Sequence, residues 1–406
     1  MTIYRPSDEK QTAEAVAWAA AAGQSFEIVS GGSKRALGRP VTADHVLDVS
    51  QLSGIVNYEA AELILTARPA TPLAVIEAEL AASRQMLAFE PPDWRALLGS
   101  NGEPTLGGAI ACNLAGPRRV RAGAPRDYFL GFAAVNGFGE IWKAGGKVVK
   151  NVTGYDLMKL QAGAFGTLSV LTEATLKVMP KPETERTLLL YGLADEAAVQ
   201  AMSRALNTPF EVSAAAHLPL DAARRSQVTE AGEGGRAVTA IRLEGPRPSV
   251  AYRAEAVEGI LGRGAWLEDA ASARFWKEVG GVRPLLPKGE RIVWRLCVTP
   301  SLAGAVVADV RARLPSAEAF YDWGGGLIWI SLEADRAGPD AGDPAARGAV
   351  KRAGGHATLI VAPDPLREKT PVFEPLEGPL EALTARIKTN FDPKGVLNPG
   401  RIRQGR

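Results

Sequence analysis

Short apolar runs alternate with polar, glycine-bearing turns through the first 180 residues, a pattern that predicts closely spaced helices and strands. Ser7, followed by two acidic residues, is the predicted N-cap of a first helix that ends near Gly23. Thr71 and Pro72 open a second helix, with Pro72 at its first position. The predicted strands of this half cover 26–29, 46–49, 63–67 and 169–179, and a hairpin covers 133–142.

The pattern changes after the polar, proline-bearing segment PKPETER at 180–186, which we interpret as a linker. Strands predicted at 237–243, 292–298, 327–332 and 357–361 are separated by helical stretches, which favours an α+β domain with a mostly antiparallel sheet. The Gly-, Pro- and Asp-rich run at 334–349 is predicted to be a mobile loop, and 380–402 a helix that breaks at FDPKG. We therefore predict one domain at 1–180, a second at 187–379, and a C-terminal segment at 380–406 that packs on the first.

Composition and charge disfavour some classes of function but do not indicate a particular reaction. A chain of 406 residues exceeds the usual size of a single core, and its net charge of +2 gives no indication of a nucleic-acid partner. Arg118, Arg119, Arg121 and Arg126 form a local basic cluster, for which a solvated loop is a simpler interpretation than an anion site. The polar N-terminus and the shortness of the Ala-rich run predict a cytoplasmic protein without a transmembrane segment. Peripheral membrane association through partner subunits stays open.

The chain has few residues suited to metal or nucleophile chemistry. Its two cysteines, Cys112 and Cys297, are too few for a disulfide framework or for a four-ligand iron–sulfur cluster. The three histidines, His45, His217 and His356, lie far apart, so neither a metal site nor a Ser-His-Asp triad has local support. We predict no metal site and expect a cofactor to carry the chemistry.

Three glycine-rich segments provide the pattern for such a cofactor. SGGSKRALG at 30–38 follows a strand, so its amides, Ser33 and Lys34 can surround a phosphate; a plain tight turn is the alternative, because the Rossmann and Walker A spacings are absent. PTLGGAIACNLAG at 104–116 offers small residues to a planar ring or a pyrophosphate, or else is a helix start packed on a strand. The stretch 151–178 places a Tyr-Asp pair and a Gly163–Gly166 turn before a strand. Their order favours one elongated cofactor held between several loops.

These segments resemble the FAD-binding domain of the vanillyl-alcohol oxidase and p-cresol methylhydroxylase (PCMH) family. The resemblance also includes GAPRDYFLG at 123–131, YDLMKLQAGAFGTLSVLTEATLKV at 155–178 and FDPKGVLNPGRI at 391–402. It implies an α+β fold with a two-subdomain PCMH-type FAD-binding domain. An α+β cap domain with a mostly antiparallel sheet would follow, and the C-terminal tail would return to the FAD domain.

The resemblance implies the cofactor contacts as well. Gly31 to Lys34 would meet the FAD pyrophosphate, the 104–116 segment would line the path of the flavin, and the 163–170 segment would approach the flavin or adenine. Because the first loop has no histidine and the cysteine context differs from that of doubly linked flavoproteins, the FAD is expected to be non-covalent. The residues expected to bind FAD are Gly31, Gly32, Ser33, Lys34, Pro104, Thr105, Gly107, Gly108, Cys112, Asn113, Gly116, Asp127, Gly163, Gly166 and Val170.

Within this family, LAFEPPDW at 87–94, GPRRVRAGAPRDYFLG at 116–131 and GGKVVKNVTGYDLMKL at 145–160 are similar to the E subunits of bacterial glycolate oxidases (glycolate dehydrogenases). This resemblance implies an FAD-binding subunit of a multi-subunit oxidoreductase that converts glycolate, a 2-hydroxy acid, to glyoxylate. Its implied partners are a homologous flavin subunit and an iron–sulfur subunit that receives the electrons.

Two alternatives stay open at this point. The chain could be a self-sufficient FAD-dependent dehydrogenase or oxidase of a small 2-hydroxy acid, or a non-catalytic flavin-bearing structural subunit. Turnover would need a cation for the substrate carboxylate and a base near its hydroxyl. The candidates are Arg295 in VWRLCV and His356 in GGHATL, although Arg295 could instead pair with a carboxylate on its own sheet and His356 could be structural.

Overall fold

A computed structural model describes residues 1–147, 154–286 and 289–404 of the chain. The part of the predicted 145–160 and 151–178 motifs that falls at 148–153 therefore lies outside the described residues. In the described ranges, no helix combines the length and the apolar character that a membrane span requires.

The strands of the first half are β1 (Ile3–Tyr4), β2 (Phe26–Val29), β3 (His45–Asp48), β4 (Ile55–Glu59), β5 (Ile64–Ala67), β6 (Gln85–Met86), β7 (Phe129–Asn136), β8 (Ile141–Gly145), β9 (Ser169–Lys177) and β10 (Met179–Pro180). They form two main sheets, as a two-subdomain FAD-binding domain requires. One is parallel with the order β1-β3-β2, and the other is antiparallel with the order β4-β5-β9-β7-β8. Strands β6 and β10 form a separate antiparallel pair.

The helices of this half are α1 (Glu9–Ala22), α2 (Leu73–Ala82), α3 (Arg95–Leu98), α4 (Leu106–Ala111), α5 (Arg119–Ala122), α6 (Pro125–Tyr128) and α7 (Leu157–Gln161). The predicted cap of α1 is wrong by one residue, because the Asp8 carboxylate accepts from the Gln11 amide at 2.8 Å while Ser7 contacts only the Gln11 side chain. Pro72 likewise precedes α2 as its N-cap instead of occupying its first turn. The C-cap Gly23 has φ of 65°, as predicted for a left-handed helix end.

The second half contains β11 (Thr184–Tyr191), β12 (Ala214–Leu218), β13 (Val238–Gly245), β14 (Ala265–Glu268), β15 (Arg291–Cys297), β16 (Glu318–Asp322), β17 (Leu327–Glu333) and β18 (His356–Val361). These strands form one sheet in the order β14-β11-β13-β12-β16-β17-β15-β18, with every described pair antiparallel. The predicted α+β cap with an antiparallel sheet is therefore confirmed. Strand β11 begins inside the segment interpreted as a linker.

The helices of the second half are α8 (Asp195–Leu206), α9 (Leu220–Ala223), α10 (Thr229–Gly232), α11 (Arg247–Leu261), α12 (Asp269–Gly280), α13 (Ala303–Arg313), α14 (Asp343–Arg352), α15 (Asp364–Lys369) and α16 (Gly378–Phe391). Helix α14 contradicts the mobile loop predicted at 334–349. Ala346, Ala349 and Val350 are buried on one side of it and pack into the cap core. The loop was predicted from the composition of 334–349, to which the Gly and Asp residues before the helix contribute most. The spacing of the apolar residues in α14 was therefore not recognised.

The two faces of the cap sheet have different partners. One face packs under α8, α11, α13 and α14 around Trp294 and Tyr321. The other face packs against α9, α10 and α12 of the cap and, beside them, against the first half. There Trp94 meets Trp329 edge to face at 5.3 Å and donates to the Gly280 carbonyl at 2.9 Å. Part of the second face is therefore turned toward the first half of the chain.

The C-terminal tail returns to the parallel sheet of the first half, as the fold prediction requires. Phe26 donates to the Val396 carbonyl at 2.7 Å and its own carbonyl accepts from Asn398 at 2.9 Å. Val396 and Leu397 are buried there with Phe26, whereas α16 itself buries no residue. The domain boundaries at 180, 187 and 380 stay predictions.

Candidate functional site

A cavity lies where β2, the 30–38 loop, α4, the 163–166 turn and the C-terminal tail meet. Most of the predicted FAD-binding residues come together there, although residues from 28 to 401 contribute to it. The predicted residues that line it are Gly31, Gly32, Ser33, Lys34, Thr105, Gly107, Gly108, Cys112, Gly166 and Val170.

The 30–38 loop is tied tightly to the segment before α4. Glu103 donates to the Gly31 carbonyl at 2.7 Å, and a Cβ on Gly31 would lie 2.0 Å from the Glu103 carbonyl oxygen. Gly32 has φ of 77°, a left-handed conformation that favours glycine. Among the described residues, the amides of Gly32 and Lys34 find no acceptor. The loop therefore offers free N–H groups to the cavity.

Lys34 brings a half-buried cation to the same place. Its ammonium contacts the Ser33 hydroxyl at 3.3 Å and, within the described part of the chain, has no carboxylate within salt-bridge distance. Burial lowers its pKa, against the opposing influence of Cys112 and Asp93. Partial desolvation of an ammonium without a carboxylate partner is unfavourable, and an anion in the cavity would offset it.

Helix α4 forms the opposite wall, and its two glycines have different roles. Thr105 caps the helix by accepting from the Gly108 amide at 3.4 Å. A Cβ on Gly107 would lie 2.6 Å from the Pro69 Cβ, so this glycine permits close packing. A Cβ on Gly108 would meet only Thr105 Oγ1 at 3.3 Å and Lys34 at 3.8 Å or more, so it would project into the cavity. Gly108 therefore keeps the cavity open.

The 163–166 turn is docked on the end of α4. Gly163 donates to the Ile110 carbonyl at 3.1 Å, and Phe165 donates to the Ala111 carbonyl at 2.9 Å. Gly163, Phe165 and Gly166 all have positive φ, of 92°, 53° and 67°. The resulting tight turn brings Phe165 and Gly166 into the cavity wall.

Two tail residues that we did not predict as site residues complete this wall. Asn398 accepts from the Ile28 amide at 2.8 Å and donates to the Phe165 carbonyl at 2.8 Å, which links β2 to the turn. Arg401 donates to the Arg35 and Leu37 carbonyls at 2.7 and 2.9 Å. Both side chains line the cavity. The LNPGRI motif identified the tail, but its sequence does not say which side chains turn inward.

A second cavity, of about 1080 Å³, lies between the first half and the second face of the cap sheet. It shares the lining residues Leu37, Cys112 and Phe165 with the first cavity, so the two cavities adjoin at these residues. The predicted residues that line the second cavity are Asn113, Gly163, Arg295 and His356, together with Cys112.

Pro104, Gly116 and Asp127 line neither of these two cavities. The Pro104 carbonyl accepts from Leu73 at 2.9 Å. A Cβ on Gly116 would lie 2.5 Å from the Glu90 carbonyl oxygen, and the Gly116 carbonyl accepts from the Trp323 indole at 3.1 Å. Asp127 accepts from the Ala124 amide at 2.8 Å. These contacts support the surrounding backbone, and FAD binding by these three residues stays a prediction.

Arg295, Cys297 and His356 lie on one face of the cap sheet. Arg295 and Cys297 are two positions apart on β15, so their side chains share a face. Cys297 is paired directly with His356 of β18, and Arg295 with Thr358. All four residues line the second cavity. Both candidate catalytic residues therefore face the same space, with a thiol between them.

Arg119 and Arg295 reach the second cavity from opposite halves of the molecule and meet at one indole. Their guanidinium carbons lie 4.8 and 4.9 Å from the Trp323 ring centroid. In the described ranges, neither has a carboxylate within 4.0 Å, so the alternative that Arg295 pairs on its own sheet finds no support. Burial, and then the neighbouring Arg295, lower the pKa of Arg119. Two cations beside one indole, both on the wall of the same cavity, could bind an anion.

The thiol and the imidazole influence each other. Desolvation raises the pKa of Cys297, but the neighbouring Arg295, His356 and Arg119 outweigh it, and the pKa is lowered overall. The neighbouring Cys297 raises the pKa of His356, an effect that desolvation opposes. Both shifts favour a thiolate beside an imidazolium. Cys112 differs, since burial raises the pKa of its thiol to about 11.

The interpretation of the basic cluster as a solvated loop is wrong for two of its members. Arg118 is buried and donates to Glu90 at 3.3 Å and to Glu244 at 2.6 Å. Arg119 lines the second cavity. Arg121 and Arg126 are exposed, as predicted. The local charge run does not indicate its partners, because Glu90 and Glu244 are remote in sequence.

These residues fit an elongated dinucleotide such as FAD. The free amides and Lys34 suit a diphosphate, and Gly108 leaves space beside them. The two cavities adjoin at Leu37, Cys112 and Phe165, so a ring at that end of the ligand would lie near the cap. The adjoining anion site and His356 would then lie on the cap side of that ring.

The comparisons with known proteins agree with this fit. Residues 2–145 match the family model described as FAD binding domain. Over 99% of the chain, the fold is similar to 88% of p-cresol methylhydroxylase solved with substrate bound, with a TM-score of 0.72 at 14% identity. The fold and the first cavity define an FAD-binding protein of the PCMH type.

Two curated relatives give the family. The chain is 36% identical over 375 residues to glycolate oxidase subunit GlcE of Escherichia coli strain K12, covering 92% of this chain and 91% of that one. It is also 36% identical over 186 residues to glycolate oxidase subunit GlcD of Bacillus subtilis strain 168, covering 43% of this chain and 37% of that one. The chain belongs to the glycolate oxidase subunit GlcE family of FAD-linked oxidoreductases.

Proposed function

We propose that this chain is the FAD-binding subunit of a multi-subunit glycolate dehydrogenase. In this proposal it supports the oxidation of glycolate to glyoxylate, beside a homologous flavin subunit and an iron–sulfur subunit that receives the electrons. The observation that carries the proposal is the adjacency of two cavities, one lined by the glycine-rich 30–38 loop, Lys34 and α4, the other lined by Arg119 and Arg295. Similarity to subunit GlcE over most of both chains supports the identity of the complex.

In this proposal FAD is bound non-covalently. Gly32, Lys34 and the start of α4 would hold the diphosphate, and Leu37, Cys112 and Phe165 would surround the region where the two cavities join. The pKa of about 11 keeps the Cys112 thiol protonated and therefore a poor nucleophile toward the ring. When bound, FAD would supply the acceptor for the two electrons of alcohol oxidation. Precipitation of the protein with acid should release all of its flavin.

The second cavity has groups that could bind a small 2-hydroxy acid. Arg119 and Arg295 would hold the carboxylate, because both are otherwise without a carboxylate partner in the described structure. His356 faces the same cavity and could exchange a proton with the substrate hydroxyl. The Trp323 indole would fix the two guanidiniums in place and limit access of water to the carboxylate.

The complex can be tested by omission. This chain is co-purified with the homologous flavin subunit and the iron–sulfur subunit, and flavin content and glycolate oxidation are measured with each subunit left out. We expect stoichiometric FAD on this chain and loss of glycolate oxidation without it. Glycolate oxidation that is unchanged when this chain is omitted would refute the proposal.

The two-arginine site also favours a second candidate, in which this chain oxidises a small 2-hydroxy acid by itself. Anaerobic addition of glycolate or D-lactate to the FAD-loaded single chain separates the two candidates. Bleaching of the flavin absorbance by the single chain supports the second, and its dependence on Arg295 can be measured with Arg295→Met. The matched control is Arg274→Met, which changes an exposed arginine of α12. No bleaching by the single chain, with activity in the complex, supports the first candidate.

A further inference from the structure

Cys297 and His356 form a reactive pair beside the anion site. The two residues are directly opposed in the antiparallel β15–β18 ladder, an arrangement that holds Cβ atoms about 4.5–5.5 Å apart. Arg295 lies two positions before Cys297 on the same strand and faces the same cavity. The Cys297 thiol is partly accessible and the His356 ring is exposed toward this space. The oxidation proposed above does not use the thiol.

Charge favours nucleophilic chemistry at this thiol. Arg295, His356 and Arg119 together lower the pKa of Cys297, although desolvation opposes them. Glu374, a carboxylate on the cavity wall, is already bound by Arg347 at 2.7 Å and by the Ala357 amide at 2.9 Å. The cavity therefore combines a nucleophilic sulfur, a proton donor and two cations that could bind a carboxylate.

We propose that Cys297 binds glyoxylate as a reversible hemithioacetal, with the glyoxylate carboxylate held by Arg119 and Arg295. The ligand class is a small 2-oxo acid whose carbonyl is an aldehyde. The identity of the ligand rests on the proposed function, which makes glyoxylate the product formed in or near this cavity. The chemistry of the site itself rests on the four side chains.

The step is balanced within the site. The thiolate sulfur of Cys297 forms a bond to the aldehyde carbon, and the carbon–oxygen π bond breaks. The oxygen takes a proton from a ring N–H of His356, and nothing is oxidised or reduced. The reverse step releases glyoxylate and restores the Cys297 thiolate and the protonated His356. The adduct occupies the arginines that glycolate would need, so it would inhibit glycolate binding as the concentration of glyoxylate rises.

Site-resolved alkylation of the FAD-loaded full chain tests the proposal, because the chain contains only two cysteines. Iodoacetamide should label Cys297 faster than Cys112, measured by mass spectrometry of each cysteine peptide. Glyoxylate should slow the labelling of Cys297, leaving about a tenth of the thiol free at ten times its dissociation constant. Glycolate also has a carboxylate but no aldehyde. It therefore measures how far binding at the two arginines alone protects Cys297, without a bond to the sulfur.

Equal protection by glycolate and glyoxylate, or protection by neither, would overturn the proposal. A direct measurement uses glyoxylate labelled with ¹³C at the aldehyde carbon, which should give a new sulfur-bound carbon resonance that Cys297→Ser abolishes. Arg295→Met should weaken glyoxylate protection, whereas Arg274→Met should not. If the adduct forms but the complex does not oxidise glycolate, only the proposed function fails. If glycolate is oxidised and no adduct forms, only this inference fails.

Discussion

Arg242 of β13 donates to both carboxylate oxygens of Glu90, at 2.8 and 2.9 Å, and so joins the cap to the FAD-binding half through a buried ion pair. Arg118 adds a second guanidinium, which contacts Glu90 at 3.3 Å and Glu244 at 2.6 Å. Burial opposes the charge on Glu90, but Arg242 and Arg118 lower its pKa to about 2. This network fixes the wall from which Arg119, the residue after Arg118, enters the second cavity.

Loss of one partner of this pair should be strongly destabilising. Arg242→Met removes the buried guanidinium and leaves the half-buried Glu90 carboxylate with Arg118 alone, so we expect the free energy of unfolding to fall by about 3–5 kcal/mol. The measurement is urea unfolding followed by tryptophan fluorescence. The matched control is Arg121→Met, since the Arg121–Glu211 pair also joins the two halves but is exposed at both ends. That change should cost less than about 1 kcal/mol. Equal costs for the two variants would contradict the role assigned to burial.

The sequence predicted those parts of the site that depend on neighbours along the chain. The strand followed by Gly31 to Lys34, and Thr105 followed by Gly107 and Gly108, are local patterns, and these residues line the first cavity. The meeting of Arg119 and Arg295 at Trp323 depends on the order of strands in the cap sheet and on the docking of two halves. No local pattern specifies either. Asn398 was likewise visible only as part of a tail motif, because its two hydrogen bonds reach β2 and the 163–166 turn.

Asp322 makes the stability of the cap depend on pH. Burial raises the pKa of this carboxyl to about 7, with a contribution from Glu90, although the hydrogen bond from the Trp323 amide lowers it. Because the folded state holds its proton more tightly than the unfolded state, whose pKa is near 3.8, stability from this group falls as pH rises from about 4 to 7.

Asp322→Asn should remove that dependence while its side-chain oxygen can still accept from the Trp323 amide. At pH 8 we expect the free energy of unfolding of the variant to exceed that of the unmodified protein by at most about 4 kcal/mol, measured by urea unfolding. At pH 4 the two free energies should be similar. Asp221→Asn, at an exposed carboxylate of α9, is the control. A variant that is less stable than the unmodified protein at pH 8 would refute this account of Asp322.

Lys34 should bind the FAD diphosphate, although desolvation of its ammonium lowers the stability of the FAD-free protein. Lys34→Met removes the half-buried ammonium. Loss of a hydrogen bond between charged groups, worth about 1.5–3 kcal/mol, should weaken FAD binding roughly 10- to 100-fold. Fluorescence titration of the apoprotein with FAD measures this change. Urea unfolding of the apoprotein should show no loss of stability, since the ammonium has no carboxylate partner in the described structure. The control is Lys10→Met, at an exposed position on α1, which should leave FAD affinity unchanged. A similar loss of FAD affinity in both variants would exclude a specific contact between Lys34 and FAD.

Gly108 should separate cofactor binding from folding. In Gly108→Ala the new methyl group meets Thr105 Oγ1 at 3.3 Å and otherwise projects into the first cavity beside Lys34. Because alanine is a better helix former than glycine, the apoprotein should unfold at an equal or higher urea concentration, with a gain of at most about 1 kcal/mol.

The same methyl group should obstruct FAD, so we expect at least about a tenfold loss of affinity, equivalent to 1.4 kcal/mol. Flavin content after purification and FAD titration of the apoprotein measure the loss. The control is Gly259→Ala, which makes the same change at an exposed position of helix α11 with no atom within 4 Å of the new methyl group. Gly259→Ala should gain similar helix stability and bind FAD normally. If Gly108→Ala binds FAD as tightly as Gly259→Ala, the cofactor does not pass between α4 and Lys34, and the assignment of the first cavity is wrong.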